Sequence, residues 1–267
     1  MTRPKIEVIM AAYNNIRDMK LVLDGYLQQT APNFSLCVAD DGSRPAVKAL
    51  VDTYKELGLN IRHLWHEDKG YRRAKIINKA ISSSNAEFII FTDNDCIPSR
   101  HFIADYMLEL EHDKVIIGRR VDLYSPVSNA LRQSELSLKQ LENPVWLIYQ
   151  SYIKGLKRPE MGLRVPSLVY KLWNKKIREA IGANMAVSRA ALLNVNGFDN
   201  DFQGYGFEET DLMWRLHKSG LTSKCVLGRC ALYHLDHPVK QESKESLQLI
   251  ESKKNAGIVY CKNGINR

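Results

Sequence analysis

The chain has 267 residues, 45% of them apolar, enough to bury a full core as one large domain or as one domain with a lobe. No apolar run approaches the about 18 residues that a transmembrane helix needs, and the N-terminus has no signal-peptide pattern, so we expect a cytoplasmic protein. The net charge of +8 favours an anionic partner, such as a nucleotide, a phospholipid surface or a nucleic acid, and five cysteines without a CxxC pair argue against a zinc site.

Residues 5–95 alternate between strand-like and helix-like patterns. Strands are predicted at 6–12, 34–39, 60–65 and from Glu87 onward, and helices are predicted between them from apolar residues at helical spacing. The run from Glu87 is almost continuously apolar, which is typical of a strand that is buried on both faces. The alternation predicts a doubly wound, mostly parallel sheet, the α/β class.

Polar residues gather where these strands end, and ligands of open α/β sheets bind beyond the carboxyl ends of the strands. The set comprises Tyr13, Asn14, Asp40, Asp41, Lys69, Arg73, Asp93 and Asp95. The two acids in Asp93-Asn94-Asp95 repel each other unless a cation lies beside them. A divalent ion that carries a phosphorylated substrate fits this pattern. The alternative is an acidic turn in which one Asp caps a helix that begins near Ser99.

The next part of the chain predicts a helix at 99–111, a strand over 115–121, and then an inserted lobe that is helix-prone, aromatic and basic. Within the lobe, a helix that begins at Pro166 would separate an apolar face from a basic face. The apolar face comprises Leu168, Val169, Leu172, Trp173 and Ile177, and the basic face comprises Lys171, Lys175, Lys176 and Arg178. This pattern fits a helix on a membrane surface, and it also fits the commoner case of a helix packed on its own domain.

The remaining motifs lie after residue 182. A return strand at 183–188 ends at Ser188, which is a suitable N-cap for the next helix. In Gly204-Tyr205-Gly206, two glycines flank an aromatic residue, and Glu208, Glu209 and Asp211 follow at the start of a helix. Acids in a first helical turn are stabilised by the helix dipole, but this loop could also bring carboxylates and a flat ring against a ligand. A late strand over 226–234 leads to His234 and His237.

Together these motifs resemble known enzymes. Ala12-Tyr13-Asn14, Asp40-Asp41-Gly42-Ser43 and Thr92-Asp93-Asn94-Asp95 resemble the nucleotide-sugar half of glycosyltransferase family 2, which has the GT-A fold. The stretch 67–80 resembles a subgroup that includes bacterial capsule and chondroitin-type polymerases. The stretch 196–212 resembles the acceptor-side motif of β-1,4-galactosyltransferases, and 228–230 before His234 resembles the metal-ligating strand of that group. The resemblance covers most of the chain except 125–180.

The resemblance implies a role for each matching residue. On the donor side, Ala12, Tyr13 and Asp40 would line the uracil and ribose site with Asp41 beside them, Arg73 would lie near the diphosphate or sugar, and Asp93 would bind ribose or sugar. Asp95 would ligate Mn²⁺ or Mg²⁺ with His234, although the sequence leaves open whether His234 or His237 is the ligand. On the acceptor side, Glu209 stands at the position of the catalytic base, which is usually Asp in the family. Glu208 and Asp211 would hold sugar hydroxyls and Tyr205 would stack on a sugar ring.

We therefore expect an α/β GT-A fold with an inserted helical, basic lobe. The division is a nucleotide-sugar-binding half at 1–122, the lobe at 123–180, an acceptor-binding and catalytic half at 181–240, and a helical tail at 241–267. The expected reaction is metal-dependent, inverting transfer of a sugar from a UDP-sugar to an acceptor hydroxyl. The expected setting is the synthesis of bacterial surface polysaccharide or glycolipid, with a saccharide or lipid-linked saccharide as acceptor and an anionic membrane surface as partner of the lobe.

Two other classes of protein compete with this interpretation. A sugar-phosphate nucleotidyltransferase could use a similar sheet and metal site, but the early glycine-rich phosphate loop of that class is missing from the sequence. A non-catalytic nucleic-acid-binding protein would explain the charge, but basic and aromatic residues alternate only over 154–178. We expect no nucleic-acid partner.

Overall fold

The computed structural model describes residues 4–176, 181–238, 241 and 243–266. The strands are β1 (Ile6–Ala12), β2 (Ser35–Asp40), β3 (Ile61–Trp65), β4 (Phe88–Asp93), β5 (Cys96–Pro98), β6 (Lys114–Ile117), β7 (Arg120–Leu123), β8 (Leu156–Lys157), β9 (Met185–Ser188), β10 (Thr222–Cys225) and β11 (Leu232–His234). The helices are α1 (Ile16–Leu27), α2 (Pro45–Glu56), α3 (Arg73–Ser82), α4 (Phe102–Glu109), α5 (Ser125–Arg132), α6 (Pro144–Tyr152), α7 (Ser167–Trp173), α8 (Arg189–Asn194), α9 (Glu208–Lys218) and α10 (Lys244–Asn255).

A seven-stranded sheet in the order β10-β6-β9-β4-β1-β2-β3 forms the centre of the fold, and of these strands β9 alone runs antiparallel to its neighbours. Helices cover both faces. Along β1, Val8 and Met10 join the core that contains α1 and α2, whereas Ile9 joins the core that contains α3, α8 and α9. This two-sided burial explains the continuous apolar runs, and the predicted doubly wound, mostly parallel sheet is confirmed.

A smaller sheet in the order β5-β11-β7-β8 lies next to the large one and was not predicted. The single strand predicted over 115–121 is wrong, because the chain divides at Gly118 into β6 of the large sheet and β7 of the small one. A Cβ at Gly118 would lie 2.4 Å from the Asn184 side chain, so only glycine lets Asn184 pack here. The late strand is shorter than predicted, since Gly228, at φ +79°, lies in a turn and β11 starts at Leu232.

The alternative interpretation of Asp93 or Asp95 as a helix cap is also wrong. The strand β5 follows the acidic turn directly, and the next helix, α4, has His101 at its N-cap. The acids therefore lie between two strands, where no helix N-terminus accounts for them.

The region 123–180 contains α5, α6, α7 and short 3-10 turns at Leu138–Glu142 and Pro159–Gly162. The predicted apolar face of α7 is not the packed one, because Leu168 and Leu172 are exposed and Tyr170 packs against the core instead. The predicted Ile177 and Arg178 lie outside the described residues. None of the described helices is long and apolar enough to cross a membrane.

Candidate active site

The carboxyl ends of β1, β2 and β4 meet at one edge of the large sheet. Ala12 pairs with Asp40 in the register of β1 and β2, and Ala11 pairs with Asp93 in the register of β1 and β4. The predicted convergence of polar residues at this edge is therefore confirmed for the strand ends. Asp95 lies two residues beyond the end of β4, where the small sheet begins.

Asp95 and two histidines form a group of potential metal ligands beyond this edge. Antiparallel pairing of β5 with β11 places His234 opposite Cys96, next to Asp95. His237 Nε2 lies 3.2 Å from Asp95 Oδ2, His234 Nε2 lies 3.8 Å from Asp95 Oδ1, and the two Nε2 atoms are 3.1 Å apart. Adjacent ligands around one ion with bonds of roughly 2.1 Å are about 3 Å apart, so the three side chains fit one divalent ion. The structure thus brings both histidines, not one, to Asp95.

The charges in this group suit a cation. Burial lowers the pKa of His234, which leaves a neutral imidazole that can donate a lone pair. Burial opposes ionisation of Asp95, but the hydrogen bond with His237 and the two nearby imidazoles hold the pKa of Asp95 below its ordinary value. The same hydrogen bond raises the pKa of His237 to about 9. The ionised Asp95 carboxylate therefore attracts positive charge, here the proton on His237, and a divalent ion bound through the His237 nitrogen would displace that proton.

Two residues of β7, Asp122 and Arg120, extend the group and were missed in the sequence. Parallel pairing of β7 with β11 places Asp122 beside His234, with Asp122 Oδ1 3.8 Å from His234 Nδ1. Arg120 donates a hydrogen bond from Nε to Asp122 Oδ1 at 3.1 Å. Burial opposes the charge on Arg120, but the acidic groups around it, Cys96 and Asp122 first among them, outweigh burial and raise the pKa of Arg120. The sequence feature that could have identified them is the pair of charged residues at alternate positions, 120 and 122, of a short strand.

Arg73, at the start of α3, joins the donor side to the acceptor loop. Its guanidinium donates to Asp93 Oδ1 at 3.0 Å, contacts Glu209 Oε1 closely, and lies 3.7 Å from Glu208 Oε1. Tyr71 donates a hydrogen bond to Glu208 Oε1 at 2.8 Å, whereas Glu208 Oε2 is buried without a hydrogen-bond partner among the described residues. One buried cation thus holds three carboxylates that are far apart in sequence.

The Glu209 carboxyl has a pKa near neutrality. Burial raises the pKa of its carboxyl to about 7; Arg73 opposes this rise, and Glu208 and Asp93 add to it. The side chain lies against Gly182, where a Cβ would be 2.1 Å from Glu209 Oε1. Gly182 was missed in the sequence because a glycine before a return strand carries no local signal. The carboxyl is therefore fixed on one side by Arg73 and on the other by the Gly182 backbone.

The loop before α9 presents Tyr205 to the same site. Gly204 and Gly206 have φ values of +103° and +106°, a conformation that glycine adopts without strain, and the turn they make leads directly into the first turn of α9. The Tyr205 ring is half-exposed and meets Tyr71 edge to face, with centroids 6.5 Å apart. Exposed aromatic rings beside carboxylates can stack on a sugar ring and hold its hydroxyl groups.

Asp211 lies elsewhere. It is buried, with Arg215 Nε 2.7 Å and Lys253 Nζ 3.1 Å from its carboxylate oxygens. Lys253, from α10, also contacts Asp199. These ion pairs tie the C-terminal helix to α9, which favours a structural role for Asp211 over the predicted contact with a sugar hydroxyl.

The predicted nucleotide side is divided between exposed and buried residues. Tyr13 is half-exposed and donates to Asp68 Oδ2 at 2.9 Å, and Ala12 ends β1 below it. Asp40 is fully buried and accepts from His63 at 2.8 Å and from the Ser43 backbone N–H at 2.8 Å. Burial of Asp40 is outweighed by these hydrogen bonds, which lower its pKa. In this conformation Asp40 supports the loop and exposes no oxygen to a nucleotide.

Asp41 is engaged in a similar way. Its carboxylate lies 2.6 Å from His66 Nε2 and accepts the Arg72 backbone N–H at 2.8 Å. The two histidines of these pairs, His63 and His66, were not among the predicted site residues. His63 lies in β3 and His66 directly follows it, and nothing in the local sequence indicates that they contact two adjacent acids.

The sequence matches two known family patterns. The pattern of glycosyl transferase family 2 matches residues 7–193, and the pattern described as the N-terminal domain of galactosyltransferase matches residues 163–238. The first match covers more than half of the chain. The second includes the Tyr205 loop, Glu209 and both histidines of the metal group.

Among curated proteins, the chain is 24% identical over 265 residues to a chondroitin synthase of Escherichia coli. The aligned region covers 93% of this chain and 38% of that protein. The chain thus spans well under half the length of this relative. Among solved structures, it resembles S. aureus TarS 1-349 in complex with UDP, with a TM-score of 0.62 and 17% identity over 92% of this chain and 63% of that chain. It also resembles GalNAc-T7 with UDP, GalNAc and Mn²⁺, with a TM-score of 0.67 and 10% identity over 94% and 48% of the two chains. These likenesses confirm the GT-A fold.

Proposed function

Because the chain belongs to glycosyl transferase family 2 and is a glycosyltransferase, we propose that it moves a sugar from a UDP-sugar to an acceptor hydroxyl with inversion at the anomeric carbon. One observation carries the proposal. Arg73 contacts both Asp93 on the donor side and Glu209, the proposed base, on the acceptor side. Such an arrangement fits a reaction in which a leaving group and an attacking hydroxyl are on opposite sides of one carbon.

On the donor side, Asp95, His234 and His237 would hold a divalent ion, which supplies Lewis-acid stabilisation of the departing diphosphate when bound. The two imidazoles favour Mn²⁺ over Mg²⁺, since Mg²⁺ prefers a shell of oxygen ligands. Asp122 lies on the far side of the His234 ring, with Oδ1 3.8 Å from Nδ1, and its charge would favour the tautomer that leaves Nε2 free for the ion. Arg120 adds a fixed positive charge that stabilises the diphosphate as its negative charge develops. Tyr13 and Ala12 would line the nucleoside.

On the acceptor side, Glu209 takes the proton of the attacking hydroxyl, a contribution of typically 10²–10⁴-fold. Its carboxyl, with a pKa of about 7, exists partly in the basic form at neutral pH. Glu208 Oε2 accepts a hydrogen bond from a sugar hydroxyl, which satisfies its unpaired buried oxygen. Tyr205 stacks on the sugar. Arg73 holds the carboxylates of Asp93 and Glu209 in fixed positions relative to each other, and it would lie near the transferred sugar.

The acceptor and the pathway belong to the same proposal. Similarity to a chondroitin synthase supports a saccharide acceptor in the synthesis of a surface polysaccharide or glycolipid. A lipid-linked saccharide would require the basic lobe to approach an anionic membrane.

A panel of UDP-, GDP- and dTDP-sugars tests the proposal, with Mn²⁺, with and without chelator, while nucleotide products are followed. Release of UDP that depends on the metal is the expected result. Release of pyrophosphate, or equal turnover of a GDP-sugar after chelation, would contradict it and favour a nucleotidyltransferase or a different donor.

A further inference from the structure

His237 lies beyond the strand that places the other histidine of the metal group. β11 ends at His234, so the pairing of β11 with β5 and β7 fixes His234 but not the residues that follow it. Leu235 donates its backbone N–H to the Asp95 carbonyl at 2.9 Å, which extends this support by one residue. The position of His237, whose Nε2 lies 3.2 Å from Asp95 Oδ2, therefore depends on contacts outside the sheet.

The helix α5 makes those contacts through Asp236, the residue before His237. Ser125, Ser128 and Arg132, spaced at i, i+3 and i+7, lie on one face of α5. Ser125 Oγ donates a hydrogen bond to the Asp236 carboxylate, and the Asp236 backbone N–H donates to Ser128 Oγ at 2.9 Å. Arg132 Nη2 donates to the Asp236 backbone carbonyl at 2.8 Å. One helix face thus binds three different groups of a single residue.

Arg132 is held from its other side by α1. Its Nε and Nη2 atoms donate to the two carboxylate oxygens of Asp18 at 2.6 and 2.8 Å, and Asp18 is buried. A guanidinium suits this place because its planar fork can bind both carboxylate oxygens and still donate elsewhere. The buried side chains of Val127 and Leu131 fix α5 itself in the core. Arg132 therefore connects two anchored helices to the segment that carries His237.

We propose that Arg132 is a positioning residue for the metal group, which fixes Asp236 and thereby holds His237 against Asp95 for binding of the ion. This inference rests on the proposed function, which places a divalent ion at these ligands. A ligand that is already in place binds an ion more tightly than one that must first be ordered, because the entropy of ordering is not lost on binding.

The charge of Arg132 makes the sign of the effect informative. Hydrogen bonding to Asp18 raises the pKa of Arg132, and the field of Asp95 adds to the rise, so the guanidinium is near enough to repel a cation in the metal group. By charge alone, removal of Arg132 would tighten metal binding. A positioning role predicts the opposite result.

Calorimetric titration with Mn²⁺, without donor or acceptor, tests the proposal. Arg132→Met should lower the affinity for Mn²⁺ by at least about tenfold, since loss of a group that orients a metal ligand typically costs 10–100-fold. The matched control is Arg164→Met. Arg164 pairs with the buried Asp105 at 2.8 Å and, among the described residues, contacts no member of the metal group, so this variant should bind Mn²⁺ like wild type.

A second variant, Ser128→Ala, leaves the pair of Arg132 and Asp18 intact and decides the proposal if Arg132→Met does not fold. It should also lower Mn²⁺ affinity, because the Asp236 backbone N–H loses its acceptor. Hydrogen exchange at the Asp236 amide, measured without metal, should accelerate by about fivefold in both variants, roughly the contribution of one hydrogen bond, and should not change in Arg164→Met.

Four results would overturn the proposal: no Mn²⁺ binding by the wild type, binding as tight or tighter in Arg132→Met and Ser128→Ala, an equal loss in Arg164→Met, or unchanged exchange at Asp236 in both variants. UDP release from UDP-sugars, measured on the same samples, separates the two proposals. A wild type that binds Mn²⁺ and shows the predicted differences but releases no UDP contradicts the proposed function and leaves the role of Arg132 in metal binding intact.

Discussion

Substitution of Gly182 by alanine should displace the Glu209 carboxylate, the proposed base, without disturbing the donor side. The added Cβ would lie 2.1 Å from Glu209 Oε1, whereas ordinary van der Waals contact begins at 3.4 Å, so the carboxylate must retreat by about 1.3 Å. A displacement of about 1 Å at a reacting group can cost about 10²-fold in rate. We therefore expect kcat for sugar transfer to fall by about 10²-fold, with little change in the affinity for UDP.

The assay compares initial rates and UDP binding in wild type, Gly182→Ala, Glu209→Asp and the double variant. Aspartate withdraws the carboxylate by one methylene, so the penalty of Gly182→Ala should be smaller in the Glu209→Asp background than in wild type. Unchanged kcat in Gly182→Ala, or a penalty that is the same in both backgrounds, would refute the assignment of Gly182 as the support of the Glu209 carboxyl.

Three further predictions concern the base, the leaving group and the tail. In the proposed mechanism Glu209 acts in its ionised form, and burial raises its pKa to about 7, so kcat/KM should rise with pH through neutrality and level off above it. A pH profile without this step, or the same step in Glu209→Gln, would contradict the role. Arg120→Met should lower kcat by about 10²-fold while Mn²⁺ affinity, measured by calorimetry, stays near that of wild type; an equal loss of metal binding would favour a structural role. Lys253→Met leaves the buried Asp199 without its cation, while Asp211 keeps Arg215, so urea unfolding should show a loss of about 3 kcal/mol. A loss below about 1 kcal/mol would show that the Lys253–Asp199 pair behaves like a surface pair.

The donor edge could be predicted because it depends on local patterns. Continuous apolar runs identify strands buried on both faces, and parallel strands end at one edge, so Asp93 and Asp95 were expected there with Tyr13. Arg73 is expected at the same edge, because it begins the helix that leads from β3 to β4.

The small sheet could not be predicted, since it depends on pairing between distant segments. Asp122 meets His234 through the register of two short strands separated by more than a hundred residues, and neither strand has a clear local pattern. The sequence predicts that Gly118 lies within one strand, although its close approach to Asn184 is what separates β6 from β7.

Two further assignments depend on tertiary contacts. Asp211 shares the first turn of α9 with Glu208 and Glu209, but the basic residue four positions later, Arg215, marked it as a member of a helical ion pair. For α7, the sequence shows that an apolar face exists, but only the tertiary structure shows whether that face is covered.

The most direct test of the two-sided site is to measure Mn²⁺-dependent UDP binding and sugar transfer side by side in Asp95→Asn and Glu209→Gln. The account predicts that Asp95→Asn loses both, whereas Glu209→Gln binds UDP as wild type does and loses transfer by at least about 10²-fold. Metal-dependent UDP binding that survives in Asp95→Asn, or is lost in Glu209→Gln, would contradict the division of the site into a metal-holding donor side and a base on the acceptor side.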